Sequence, residues 1–256
     1  NLKLGRDFMD LADQLGAEAP EIVEPDAPSA PAGTPEAPDF GEATYEKVST
    51  AEELQRWIAL AKARGYVAVD TETTGLDEMR ADLVGVSLCV EAGHACYIPL
   101  AHKEGEEGQL FGSDELTEGQ IGLEQCLSLI KPLLEDPSVM KIGQNMKYDA
   151  KMLKRYGIDI APIDDTMLMS YALHAGEHNH GMDALSERYL GHNPIPIKSL
   201  LGGGKSAITF DRVGIDDAVK YASEDADITL RLWQIFKPQL HAQKVTSVYE
   251  RLERPL

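Results

Sequence analysis

The sequence predicts an α/β domain whose mixed β-sheet is flanked by helices, and three observations carry that reading. The stretch "GYVAVDTETTGL" (65–76) opens with an apolar run, Tyr66–Val69, of strand-forming residues that ends on Asp70. The runs "LVGVSLCV" and "HACYIPL" follow as two more strands around the Glu91-Ala92-Gly93 turn. After them, helical patterns alternate with one short apolar run, "VMKIG". Three strands in succession and then alternating helices suit a sheet with helices packed on its faces.

Taken in order, "DFMDLADQLG" reads as a short amphipathic helix ending at Gly16. Residues 17–45 hold six of the fourteen prolines among Ala, Glu and Asp. Such a segment cannot bury enough apolar surface to offset its ordering entropy, so it is expected to be an extended, solvated linker. "STAEELQRWIALAKARG" opens with a capping-box pattern, Ser49 with Glu52 or Thr50 with Glu53, and closes at Gly65. Beyond the strands, helices are expected at Gly122 to Glu135, Lys147 to Tyr156, Asp165–His174 and Met182–Leu190. A long one runs from Ile215 to about Gln239. Trp57 and Trp233 fall on amphipathic helices and read as core residues.

The chain has 256 residues, enough for one substantial domain with attachments, and no apolar run long enough to span a membrane as a helix. Cys89, Cys96 and Cys126 lack C-x-x-C spacing. They read as reduced, buried thiols of a cytoplasmic protein, with a Cys89–Cys96 disulfide as the alternative. The net charge of -19 argues against broad polyanion binding. Part of it belongs to the linker, since Glu18 to Glu46 contains eight acids and no Lys or Arg. Any nucleic-acid contact must therefore be local, metal-assisted, or helped by protein outside this sequence.

The acids raise the chemical question. Side chains two apart on a strand share a face, so Asp70 and Glu72 present repelling carboxylates side by side. Asp149 falls just inside a helix, and Tyr221 and Asp225, four apart, share one face of the long helix. Asp227 is expected on that helix's exposed side. Carboxylate clusters become favourable when hard divalent cations neutralise them. Two such ions about 3.5–4 Å apart can clamp the attacking and leaving oxygens of a phosphodiester.

These residues match a family. "VDTETTGL" resembles the first motif, D-x-E, of the DEDD 3′→5′ exonucleases, "NMKYD" the second, and "YASED" the third in its Tyr-x-x-x-Asp form. The segments "PLLEDPSVMKIGQNMKYD", "DDTMLMSYAL" and "YASEDADITLRL" resemble the proofreading domains of the bacterial DNA polymerase I family, over about residues 45 to 256. The resemblance implies an RNase H-like fold and two-metal hydrolysis of the 3′ end of single-stranded DNA. Mg²⁺ is the implied cofactor, with Mn²⁺ or Zn²⁺ able to take its place. Asp70 would bridge both metals, Glu72 and Asp225 would complete one site, and Asp149 would hold the second. Tyr221 would orient the attacking water with help from Glu72.

Leu76 resembles the wedge beside the terminal base, and Gln144 and Asn145 resemble polar contacts to the terminal nucleotide. Ile197 stands about where relatives often carry a stacking aromatic, so stacking is not expected there. The family also implies that residues 1–16 end a 5′-nuclease domain, 46–240 form the exonuclease and 241–256 open a polymerase domain. The piece itself is expected to be monomeric, with no membrane association. The alternatives are a catalytically silent module of the same fold, against which all four acids and Tyr221 stand, and an RNase D-like exoribonuclease.

Two other patterns are read as structural. "LLGGGKS" has Ser199 where a phosphate loop needs Gly, so it is expected to be a flexible loop near the substrate. His174, His178 and His180 read as a polar helix junction rather than a metal cluster. Lys147, Lys151, Lys154 and Arg155 form a basic helix side that suits either a DNA backbone or solvent.

Overall fold

The sheet that organises the molecule has six strands: β1 (Thr44–Lys47), β2 (Tyr66–Thr73), β3 (Leu83–Glu91), β4 (His94–Pro99), β5 (Met140–Gly143) and β6 (Ile163–Asp165). Their order is β1-β4-β3-β2-β5-β6. Strands β2, β3 and β4 are antiparallel neighbours, whereas β1 runs parallel to β4, β5 to β2, and β6 to β5. The expected mixed sheet is therefore present. This computed structural model describes residues 40–104, 115–204 and 207–255, which all belong to the unit Pro38–Leu256. The expected helix at 7–16, most of the linker, and Lys205 and Ser206 of the Gly loop lie outside the described residues.

Helices α1 (Ala51–Arg64), α2 (Leu123–Leu134) and α3 (Met146–Arg155) cover one face. Leu54, Trp57, Ile130, Met152 and Leu153 meet Val67, Val69, Val86, Leu88 and Ile98 there in the main core. Thr50 caps α1 through the full capping box with Glu53, and Gly65 ends the helix in a left-handed conformation (φ 76°). Cys89, Cys96 and Cys126 are buried free thiols, so no disulfide forms.

The 28-residue helix α7 (Ile215–Ala242) lies on the other face. Helices α4 (Thr166–His174) and α5 (Met182–Leu190) pack against it, and short α6 (Ile197–Leu201) precedes it. Ala218, Ala222 and Ala226 recur every fourth residue, and their small side chains let α7 approach the sheet closely. With the sheet on one side and α4 and α5 on the other, α7 has no exposed middle. Asp227 is consequently buried, not exposed as the spacing suggested. Its carboxylate accepts from Arg231 Nε (2.8 Å), the Gly93 N–H (2.9 Å) and the Tyr45 hydroxyl (3.1 Å).

Tyr45 belongs to β1, which begins at Thr44, inside the segment read as linker. Residues 246–253 wind into a short α-turn and a π-turn that dock on this unit. Tyr249 is buried, donating to Asp164 Oδ1 (3.0 Å) while its oxygen accepts from the Asp165 N–H (2.9 Å). Trp233 is only partly buried, but its indole N–H also reaches Asp164 (2.8 Å).

Candidate active site

Strand alternation splits β2 between the two faces. Val67, Val69 and Thr71 turn towards α1–α3, while Ala68, Asp70 and Glu72 turn towards α7. Asp225 comes down from α7 onto this pair, and oxygens of Asp70, Glu72 and Asp225 lie within 4.8 Å of one another. No other described residues bring three acids, histidines or cysteines together this way.

Asp149 arrives by a different route. Because β5 is parallel to β2, both strands end at the same edge, where open α/β sheets build their sites. Helix α3 follows closely on β5, and Asn145, the residue just before it, turns the chain with a left-handed backbone (φ 64°). Four residues on, the Asp149 carboxylate accepts from the Thr71 N–H (3.1 Å) and the Thr71 hydroxyl (2.5 Å). Thr71 thus ties α3 to β2 between the two motif acids. Sequence reasoning passed over it, although a hydroxyl between Asp70 and Glu72 was the available signal.

The electrostatics are those of negative groups forced together. Burial raises Asp70 to about 7, against a Thr71 hydrogen bond that lowers it. Glu72 is held well above the ordinary carboxylate range by burial and by Asp70, Asp225 and Asp149. Burial and Asp70 likewise raise Asp149 and Asp225. Tyr221, one turn from Asp225 on α7, hydrogen-bonds to it; burial and the surrounding carboxylates hold its phenol protonated. Glu72 Oε1 is buried with no hydrogen-bond partner. Such an orphan costs roughly 1–3 kcal/mol, more when charged. A hard divalent cation is the partner this donor set fits, since it is all oxygen and strongly anionic.

At the rim, Leu76 is almost fully exposed (95%). Its loop is held from behind, where Gly75 O accepts from the Tyr148 hydroxyl (2.6 Å) and the Thr73 hydroxyl (2.9 Å). Asn145 is exposed with no capping bond from its side chain. Gln144, half-buried, is held by the protein itself: its amide N–H donates to His180 O (2.9 Å) and its carbonyl accepts from Thr166 Oγ1. Ile197, the first residue of α6, is half-buried in the cluster that includes Leu200, Phe210 and Tyr221.

The basic side of α3 is mostly spent on structure. Lys151 pairs with Glu78 (2.7 Å), Lys154 with Asp159, and Arg155 donates to Glu78 O and Ala81 O. The rings of His178 stand 5.4 Å from His174 and 5.0 Å from His180, but their nitrogens form no metal-sized group.

Comparison with known proteins decides the family. The model of the 3′-5′ exonuclease family of A-type DNA polymerases matches residues 45–241. The chain belongs to this exonuclease family. DNA polymerase I of Rhizobium leguminosarum is 53% identical over 226 residues, covering 85% of this chain and 22% of that protein. DNA polymerase I of Pseudomonas aeruginosa is 37% identical over 254 residues, 98% of this chain and 26% of that protein. The chain thus spans about a quarter of these relatives.

Among solved structures, Escherichia coli RNase D superposes with a TM-score of 0.60 at 19% identity, over 82% of this chain and 50% of that one. The POL domain of Pol1 from M. smegmatis gives 0.58 at 18% identity, over 82% and 30%. At these identities the likeness establishes the fold: an RNase H-like mixed sheet, as the motifs implied. No helix among the described residues is long and apolar enough to cross a membrane.

Proposed function

We propose that this unit hydrolyses the 3′-terminal phosphodiester of single-stranded DNA with two divalent metal ions, editing ends for a polymerase domain of the same chain in the cytoplasm. The observation that carries the reading is the meeting of Asp70, Glu72 and Asp225 beside Asp149, with Glu72 Oε1 buried and unpartnered.

Asp70, Glu72 and Asp225 would hold one ion, and Asp149 with Asp70 the other. Bound Mg²⁺, or Mn²⁺ or Zn²⁺, would neutralise the phosphodiester and make water a nucleophile near neutral pH. The protein's own groups do the positioning. Tyr221 donates its proton to Asp225, so its oxygen is left to accept from a water. Glu72 offers that water a second acceptor. Leu76, projecting from its braced loop, would wedge against the terminal base. Asn145, exposed at the head of α3, would reach the terminal nucleotide, and Ile197 would add apolar contact without stacking.

A 5′-labelled single-stranded DNA oligomer tests this, incubated with Mg²⁺ or Mn²⁺ and with EDTA beside a matching RNA. A metal-dependent ladder shortening from the 3′ end of the DNA is the expected result. Cleavage of the RNA alone would move the assignment to an exoribonuclease, and no cleavage of either by folded protein would leave a silent module.

A further inference from the structure

Tyr97 and His102 lie under the carboxylates, and neither belongs to the motifs. In register, Asp70, Ser87 and Tyr97 lie side by side across β2, β3 and β4, and Glu72 pairs with Gly85. Tyr97 fills the space that Gly85 leaves: a Cβ at 85 would stand 2.1 Å from the Tyr97 hydroxyl oxygen. The buried hydroxyl therefore ends beside the strand position paired with Glu72. Burial, then Glu72 and Asp70, raise the phenol well above its ordinary range.

A buried hydroxyl near a buried carboxyl group ordinarily hydrogen-bonds to it. Tyr97 makes no such bond. Its oxygen lies 2.8 Å from His102 Nε2. The far side of the ring sets the direction, because His102 Nδ1 lies 2.9 Å from Val213 O, which can only accept. Nδ1 therefore carries the proton, Nε2 accepts, and the Tyr97 hydroxyl donates to it. Gln120 holds His102 in place by accepting from its backbone N–H (2.7 Å) and donating to its carbonyl (2.8 Å). Ser87, between Asp70 and Tyr97, gives its hydroxyl to no partner. Beneath Glu72, then, no side chain delivers a proton to its unpartnered oxygen.

We propose that His102 is a positioning residue: it holds the Tyr97 hydroxyl away from Glu72, leaving that carboxylate free for a divalent cation. The proposal rests on the cation-binding reading above. Without the imidazole acceptor, Tyr97 would turn to Glu72, and each cation would have to displace that bond.

The test is calorimetric titration of the protein with Mn²⁺, with metal-free folding checked by circular dichroism. His102→Leu should bind roughly tenfold more weakly, the scale of one hydrogen bond to a charged group. His102→Gln keeps an acceptor and should stay near wild type. Tyr97→Phe/His102→Leu removes the competing donor and should recover the affinity. A merely structural role predicts a double variant at least as impaired as His102→Leu. That result, or wild-type affinity in His102→Leu, overturns the proposal.

Should His102→Leu not fold, ¹⁵N resonances of wild-type His102 decide. A proton on Nδ1 with Nε2 as acceptor, unchanged by Mg²⁺, supports the proposal; the opposite tautomer overturns it. Wild type that binds no Mn²⁺ would instead refute the cation reading itself, and this proposal with it.

Discussion

Asp149 differs from the other three acids in what already holds it. Thr71 gives it two hydrogen bonds, whereas Glu72 keeps one oxygen unpartnered. Loss of either a cluster acid or this tether should therefore be graded. Asp149→Ala and Asp225→Ala should each lower exonuclease turnover by roughly a thousandfold, the equivalent of several kcal/mol of charge stabilisation. Thr71→Val keeps the carboxylate but drops one bond to it, and should cost about ten- to a hundredfold. Single-turnover rates on 5′-labelled DNA would check the ranking; equal losses in all three would mean that Thr71 has another role. Asp227 is the contrasting acid, two residues from Asp225 yet saturated by Arg231, Gly93 and Tyr45. Asp227→Ala strands Arg231 and should cost about 3–5 kcal/mol of stability. Urea denaturation in EDTA measures it, and a change below 1 kcal/mol would show that the network matters little. The spacing of Tyr221, Asp225 and Asp227 placed the first two correctly. It could not place Asp227, because helix periodicity gives a side-chain direction but not what packs there.

At the scale of elements, β1 is a short edge strand with a disproportionate role. It covers β4, sends Tyr45 to Asp227, and follows Phe40, which stacks on His192 (3.7 Å between centroids) under Arg231. A chain beginning at residue 48 should melt several degrees below one beginning at 40 and should aggregate sooner, since β4 becomes a bare edge. Equal melting temperatures would refute that role. Nothing in "TYEK" announces this strand: it is four residues long and adjoins a Pro- and acid-rich run that composition reads as solvated. Strand β6 escaped notice for a related reason, since "IDD" has two acids in three residues and is stabilised by Trp233, Lys237 and Tyr249 from distant sequence. By contrast β2, the β3–β4 hairpin and α1 were legible because their signals are local: an apolar run, a Gly turn and a capping box. The four acids were legible through their motif order. Thr71, Tyr97 and His102 were not, because their partners are fixed by strand register and helix placement.

For the whole molecule, the decisive quantity is negative charge held against its own repulsion. The net charge is -19, and the four site acids are concentrated where burial opposes ionisation. Asp70 keeps its proton up to about pH 7 in the folded protein, while an unfolded chain releases it near 3.9. The stability linked to that proton is full below about pH 4 and is lost as pH rises to about 7. Metal-free protein should therefore melt at progressively lower temperature between pH 5 and 8, and Asp70→Asn should flatten the slope. General surface repulsion would act in the same direction, but 0.5 M NaCl screens it to a Debye length of only about 4 Å. Repulsion within the buried cluster is screened much less by salt. Mg²⁺ at low millimolar concentration should restore the melting temperature at pH 8 and do little at pH 5, where protons already occupy the cluster. Thermal scans across this grid of pH, salt and Mg²⁺ make the check. If NaCl alone restores stability as fully as Mg²⁺, the acids of the site are not where the pH dependence originates.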